Sequence, residues 1–232
     1  LWLRLSMEES DQFKNSNRNN RQAGTLRLLA HYPKQVLTVV GMTLGGTISF
    51  YTYTTYLQQF MINTTGLSKK TAGMINFVAL LVMVVLQPLF GHLSDRIGRK
   101  PLLIFFGIGG TLCTVPLFTL MAGASTALEA LLLMIVGIVI VSGYTSINAI
   151  VKAELFPSEI RALGVGMPYG LTVALFGGTV NYIALWLRSI HLESAFFWYV
   201  SGAVFISLLV YAFVLKPGSL IDEEMTESTT TD

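Results

Sequence analysis

Six apolar runs, at approximately 36–60, 72–94, 101–122, 127–149, 164–187 and 195–215, constrain this chain more than any other feature. Each is close to the ~20 residues that an α-helix needs to cross a hydrocarbon core of ~30 Å. Lipid offers no hydrogen-bond partners, so a spanning segment must satisfy its own backbone, and a helix does. Composition agrees. The chain is 53% hydrophobic and only 12% charged, where a soluble domain carries about 25% charged residues. The expected fold is an all-α membrane protein of six transmembrane helices, with membrane lipid as its solvent.

The remaining composition removes other classes. A net charge of +2 is too small to suggest a nucleic-acid partner. The single cysteine, Cys113, sits in an apolar run and gives no disulfide framework. No His/Glu zinc spacing, in-membrane carboxylate pair or phosphate-cradling glycine loop is present. Neither a metal, a catalytic residue nor a bound cofactor is therefore expected.

Charge position gives the orientation. Numbering the connections alternately, one side collects Arg4, Lys14, Arg18, Arg21, Arg27, Lys34, Arg96, Arg99, Lys100, Lys152, Arg161 and Lys216. The other side holds Lys69, Lys70 and Arg188. Cations accumulate on the cytoplasmic side, so both ends of the chain are expected in the cytoplasm. Trp186 and Trp198 fall near the outer ends of the fifth and sixth runs, as interfacial aromatic residues do. Residues 1–34 read as a cytoplasmic loop. Its opening Leu1-Trp2-Leu3 reads as the remnant of a preceding helix, so the chain is expected to be a fragment or one half of a split protein. Residues 35–215 read as the bundle. Residues 216–232 read as an acidic, disordered cytoplasmic tail.

Two connections carry ordered motifs. The turn after the second run is Gly91-His92-Leu93-Ser94-Asp95-Arg96-Ile97-Gly98-Arg99-Lys100-Pro101. Gly91 and Gly98 permit tight backbone geometry, and Pro101 suits the first turn of a helix. Asp95 among three cations allows a local ion-pair network. A positive anchor accounts for the cations, but not for the full order of glycines, aspartate and basic pairs. The connection after the fourth run is Glu154-Leu155-Phe156-Pro157-Ser158-Glu159-Ile160-Arg161. Pro157 ends one helix, Ser158 can cap the next, and Glu154 and Arg161 are close enough in sequence to pair.

Polar residues also lie within the runs. Thr47, Tyr51, Thr54, Thr55 and Gln58 share one face of the first helix by helical spacing. Tyr144, Thr145 and Asn148 repeat the theme in the fourth, beside Ser142. Burying these groups in lipid is costly unless they meet partners or water. Two readings stand: the wall of a substrate cavity near the midplane, or interhelical hydrogen bonding that serves packing alone. For Asn76, Tyr169 and Asn181 the two readings are equal. The first and fourth helices share Tyr-Thr-rich stretches while running in opposite directions, which fits an inverted three-helix repeat. Gly41/Gly45 and Gly166/Gly170 are spaced for close helix approach.

The first motif, G-x-L-S-D-R-x-G-R-K, resembles the signature that joins the second and third, and again the eighth and ninth, helices of the major facilitator superfamily. The second, E-x-F-P-x-x-x-R, is similar to the corresponding loop of its sugar and organic-acid carriers. Tyr51-Thr52-Tyr53-Thr54-Thr55-Tyr56, Tyr144-Thr145-Ser146, Lys152-Ala153-Glu154 and Phe196-Phe197-Trp198-Tyr199 narrow the likeness to its metabolite–proton symporters. The resemblance implies that these six helices are the C-terminal bundle of a twelve-helix carrier in a bacterial inner membrane. Its partner would be a missing N-terminal six-helix half. It implies a small organic-acid substrate, 2-oxoglutarate first, with a proton as the coupling ion. Citrate, shikimate or an osmolyte remain open, as does a non-transporting half-carrier subunit. It makes Gly91, Asp95, Arg96, Gly98, Arg99, Glu154 and Arg161 parts of a cytoplasmic gate. The centres of the six runs hold no Lys, Arg, Asp or Glu. The cation that meets the acid, and the group that takes up the proton, are therefore expected mainly in the other half. His92, at a loop mouth, reads as a solvated histidine with a proton site as its alternative.

Overall fold

The computed structural model describes residues 26–215, where every regular element is helical. The expected acidic tail, and most of the leading loop, lie outside the described residues. Six helices are long and apolar enough to cross a membrane. They are span 1 (Pro33–Asn63), span 2 (Lys69–Ile97), span 3 (Arg99–Ala122), span 4 (Ala127–Ala153), span 5 (Arg161–Ser189) and span 6 (Glu193–Val214). They begin and end within a few residues of the apolar runs.

Local chemistry sets the ends. Ser68 caps span 2 by accepting from the Thr71 amide at 3.1 Å. Thr126 and Glu129 form a reciprocal capping box at the start of span 4. Spans 2 and 3 are joined by Gly98 alone, at φ +88°, a conformation that a β-carbon disfavours. Gly91, which the sequence reading placed in that turn beside Gly98, is not part of it. Span 2 simply runs on as helix to Ile97, and a side chain at Gly91 would meet open space. Ser158 does not cap span 5 either. The chain passes through a turn after Pro157, and the cap position falls on Ile160 without a side-chain bond.

Straight helical geometry fails in four places. Spans 1, 5 and 6 each contain a π turn, at Thr52–Tyr56, Val173–Gly177 and Val210–Val214. Span 4 breaks between its helical parts Ala127–Thr145 and Asn148–Ala153.

Packing follows a simple scheme. Span 6 lies against spans 1 and 3, span 4 against spans 2 and 3, and span 5 against span 1. At the contact of spans 1 and 6 a glycine lets backbone approach backbone. A β-carbon at Gly45 would lie 2.7 Å from both the Ala203 carbonyl oxygen and the Val204 α-carbon. Ser207 Oγ accepts from the Gly45 amide at 2.8 Å and donates to the Gly41 carbonyl at 2.6 Å. Tyr211 adds a bond to the Met42 carbonyl at 2.8 Å. Gly166 and Gly170, the second small-residue pair, meet nothing within 4 Å. Between spans 1, 3 and 6, Phe118 stacks on Phe197 at 4.7 Å and meets Phe60 edge-on at 5.1 Å. Span 2 presents Met74, Phe77, Leu81, Val84, Val85 and Leu89 outward, an apolar face suited to lipid. Arg96, Arg99, Lys100 and Arg161 mark one end of the bundle, called the basic end below. Arg188 and Glu193 mark the opposite end.

Candidate functional site

A cavity of ≈ 210 Å³ lies between spans 1, 4 and 5. Gly46, Thr47, Phe50 and Tyr51 come from span 1, Tyr144, Thr145 and Asn148 from span 4, and Tyr169 and Val173 from span 5. Two glycines make the wall possible. A β-carbon at Gly46 would sit 2.2 Å from the Tyr144 ring, and one at Gly177 2.6 Å from the Tyr51 ring. Each ring therefore fills the space its glycine vacates. Tyr144 is further held by Phe106, with ring centroids 5.3 Å apart.

The break in span 4 borders this cavity. Losing two residues of helix leaves carbonyls without their usual donors. Asn148 supplies one, donating from Nδ2 to the Thr145 carbonyl at 2.9 Å. The Thr145 hydroxyl accepts from Gln87 Nε2 of span 2 at 3.0 Å. Irregular helix beside a cavity is where transporters place binding groups, because the unwound backbone and its polar neighbours are protected from lipid.

Of the residues read from the sequence as a cavity wall, Thr47, Tyr51, Tyr144, Thr145 and Asn148 are brought together here. Thr54, Thr55 and Gln58 are not in this lining. Thr54 is buried and donates to the Phe50 carbonyl at 2.6 Å. Thr55 is exposed, and Gln58 accepts from Asn76 Nδ2 at 3.0 Å. The π turn at Thr52–Tyr56 is the physical reason. It inserts extra backbone after Tyr51 and rotates all that follows away from the face a regular helix would present.

Lys152 is the residue that the sequence placed wrongly. Its position in the chain puts it among the loop cations of the basic end. The structure leaves it only 1% exposed, on the last turn of span 4. Its Nζ donates to the Tyr144 hydroxyl at 2.9 Å and to Asn148 Oδ1 at 3.2 Å. The same atom lies 4.2 Å from the centroid of the Tyr169 ring. The signal was present, since Tyr144, Asn148 and Lys152 follow one another at intervals of four, a single helical face.

The two motifs meet at the basic end. Arg99 pairs with Glu154, joining the turn after span 2 to the connection after span 4. Glu154 does not pair with Arg161, whose Nε instead donates to the Phe156 carbonyl at 3.1 Å. The turn after Pro157 folds Arg161 back onto its own loop. Asp95 and Arg96 are exposed, and no carboxylate–cation pair within 4 Å involves either among the described residues. His92 is exposed as well. Lys100, not one of the proposed gate residues, donates to the Ala212 and Leu215 carbonyls at 2.9 and 2.7 Å. It thereby fastens the start of span 3 to the end of span 6. At the opposite end, Glu193 accepts from Tyr56 at 3.2 Å and Thr64 at 3.0 Å, and Arg188 donates to the Asn63 carbonyl at 2.8 Å. This second fastening was not foreseen, because its members come from three separate segments.

Comparison with known proteins places the chain. The pattern described as the Major Facilitator Superfamily matches residues 38–229. The Alpha-ketoglutarate permease of Escherichia coli (strain K12) is 40% identical over 218 residues, 94% of this chain and 50% of that protein. The Glycine betaine/proline/ectoine/pipecolic acid transporter OusA of Dickeya dadantii is 27% identical over 198 residues, 81% of this chain and 39% of that protein. The Proline/betaine transporter of Escherichia coli (strain K12) is 25% identical over 199 residues, again 81% of this chain and 39% of that protein. The chain thus spans half or less of the length of these relatives. No solved structure matches it.

Proposed function

The chain belongs to the Major Facilitator Superfamily of transporters, and from that premise we propose that it is the C-terminal half of a proton-coupled carrier of a small organic acid, 2-oxoglutarate first. The observation that carries this reading is the 40% identity to a permease for alpha-ketoglutarate across 94% of the chain. The osmolyte carriers stand at 27% and 25% over less of it.

The geometry supports a division of labour. The cavity between spans 1, 4 and 5 forms this half's share of the solute site, with Tyr51, Tyr144, Thr145 and Asn148 supplying hydroxyl, amide and ring contacts. A partner bundle closes the remaining side. Arg99 and Glu154 form the gate at the basic end, with Gly98 as its hinge. Gly91, Asp95, Arg96 and Arg161 lie at the same end, where Asp95 and Arg96 remain available to a partner helix. Transport is rocking of one bundle against the other around the cavity. The basic end faces the cytoplasm of a bacterial inner membrane, as the charge distribution favours.

The osmolyte relatives motivate a second reading, in which the aromatic wall of Phe50, Tyr51, Tyr144 and Tyr169 holds a quaternary ammonium by its ring faces. Uptake decides between the two. Cells expressing the chain, alone and together with a six-helix N-terminal half, are given labelled 2-oxoglutarate or glycine betaine, with and without an uncoupler. The proposal expects 2-oxoglutarate uptake only when both halves are present, abolished by the uncoupler. Uptake of betaine instead would install the second reading. Uptake of neither by the paired halves would overturn the substrate assignment and leave citrate, shikimate, another osmolyte or a non-transporting subunit.

A further inference from the structure

Among the described residues, no carboxylate pairs with Lys152. The lysine is 1% exposed, and the carboxylate–cation pairs within 4 Å among the described residues are Arg99–Glu154 and Arg188–Glu193. Glu154, two positions along the chain, is already taken by Arg99. An ammonium in a low-dielectric interior is costly unless it is paired and hydrogen-bonded. Lys152 has two neutral oxygens, on Tyr144 and Asn148, and the face of the Tyr169 ring. These soften the cost but leave the positive charge standing.

All three of those neighbours line the cavity. The ammonium therefore sits one layer behind the cavity wall, on the span 4 side. The Tyr144 hydroxyl accepts from Nζ and also meets the Thr43 side chain, so its own hydrogen can turn from Thr43 to an anion in the cavity. A hydroxyl polarised by a cation behind it is a strong donor to an anion in front of it. A cavity with such a donor favours a carboxylate and repels a quaternary ammonium at the same spot.

We propose that Lys152 is the anion-binding centre of the cavity, receiving one carboxylate of the transported solute through the Tyr144 hydroxyl, with Asn148 and Tyr169 positioning the ammonium. The assignment rests on the reading of the cavity as the solute site. It also revises the expectation that the cation for the acid lies in the other half, since this half carries one of its own.

The test compares an acid with its amides in cells holding both halves of the carrier. Competition against labelled 2-oxoglutarate is measured for 2-oxoglutarate itself and for each of its two monoamides, which replace one carboxylate by a neutral group of the same shape. In the unmodified carrier, the amide of the carboxylate bound at Lys152 should compete roughly tenfold or more weakly than the acid, as loss of a buried charge partner demands. In Lys152→Gln and Lys152→Met that deficit should collapse, because the acid weakens to the level of the amide. Lys152→Arg should retain part of it. If both monoamides keep their full deficit in the Gln and Met variants, the inference is overturned, and a cation elsewhere reads the acid. If neither variant accumulates in the membrane, Tyr144→Phe carries the test: it keeps the ring and must reduce the same deficit. Failure of the substrate reading is distinguishable. A carrier that moves glycine betaine rather than 2-oxoglutarate is tested with betaine against its carboxamide. A carboxylate preference there that ignores Lys152 also overturns the inference.

Discussion

Single residues divide here into those that hold geometry and those that hold charge. Gly46 belongs to the first kind. A methyl group there would lie 2.2 Å from the Tyr144 ring, so Gly46→Ala must drive the ring out of its seat and into the cavity. The expected result is loss of uptake with a stability cost of about 1–3 kcal/mol, typical of overpacking, read as a lower thermal midpoint of the purified protein. Arg99 and Glu154 belong to the second kind. Their side chains are 34% and 41% exposed, so as a structural pair they contribute under about 1 kcal/mol. If they form a gate, Arg99→Gln and Glu154→Gln should leave the thermal midpoint nearly unchanged while uptake falls at least roughly tenfold. The exchanged pair, Arg99→Glu with Glu154→Arg, should recover part of that loss. Equal loss in the exchanged pair would show that charge order, not pairing, matters. At the basic end the sequence suggested the right types of residue but the wrong partners. Local spacing paired Glu154 with Arg161, because contacts across a fold leave no trace in spacing. Lys152 was read as a loop cation for the same reason: a count of cations by segment is blind to which of them turn inward.

At the scale of the element, the spans themselves were legible, since length and hydropathy fix a membrane helix. Their irregularities were not. A π turn depends on how a helix is gripped by its neighbours, and the run Thr52–Tyr56 does not announce one. That single feature explains why Thr54, Thr55 and Gln58 part company with Tyr51. The close contact of spans 1 and 6 was legible as a Gly41/Gly45 spacing, and it can be tested by substitution. Gly45→Ala places a methyl group 2.7 Å from the span 6 backbone. Backbone cannot rotate aside as a side chain can, so the helices must separate and the Ser207 bonds to Gly41 and Gly45 must lengthen. A loss of about 1–3 kcal/mol is expected. Gly202→Ala is the control on span 6, because nothing lies within 4 Å of its added methyl. It should be neutral, or stabilising by up to about 1 kcal/mol through helix propensity. Equal destabilisation by the two substitutions would remove close approach as the reason for Gly45.

The whole molecule has a regularity that only packing reveals. Exchange span 1 with 4, 2 with 5, and 3 with 6. The contact of spans 6 and 1 then becomes that of 3 and 4, the contact of 2 and 4 becomes that of 5 and 1, and the contact of 3 and 6 maps onto itself. Burial obeys the same exchange. The apolar windows of spans 1 and 4 are 61% and 56% buried, those of 2 and 5 are 17% and 22%, and those of 3 and 6 are 44% and 39%. Two three-helix units of opposite direction, related by an axis in the membrane plane, produce this pattern. The Tyr-Thr stretches of spans 1 and 4 were its faint sequence trace, and Tyr51, Tyr144 and Thr145 from them meet at the cavity. Such a unit is nearly symmetric front to back, so packing alone does not choose which end faces the cytoplasm. The proposed orientation rests on charge: Arg96, Arg99, Lys100 and Arg161 at one end against Lys69, Lys70 and Arg188 at the other. With Cys113 replaced by serine, single cysteines introduced at Asp95 or Glu159 should be shielded from an impermeant maleimide in intact cells and label only after lysis. Cysteines at Ser125 or His191 should label from outside. The reverse pattern would invert the bundle. The Arg99–Glu154 pair would then lie at the outer mouth, and the proposed direction of solute movement would have to be reassigned.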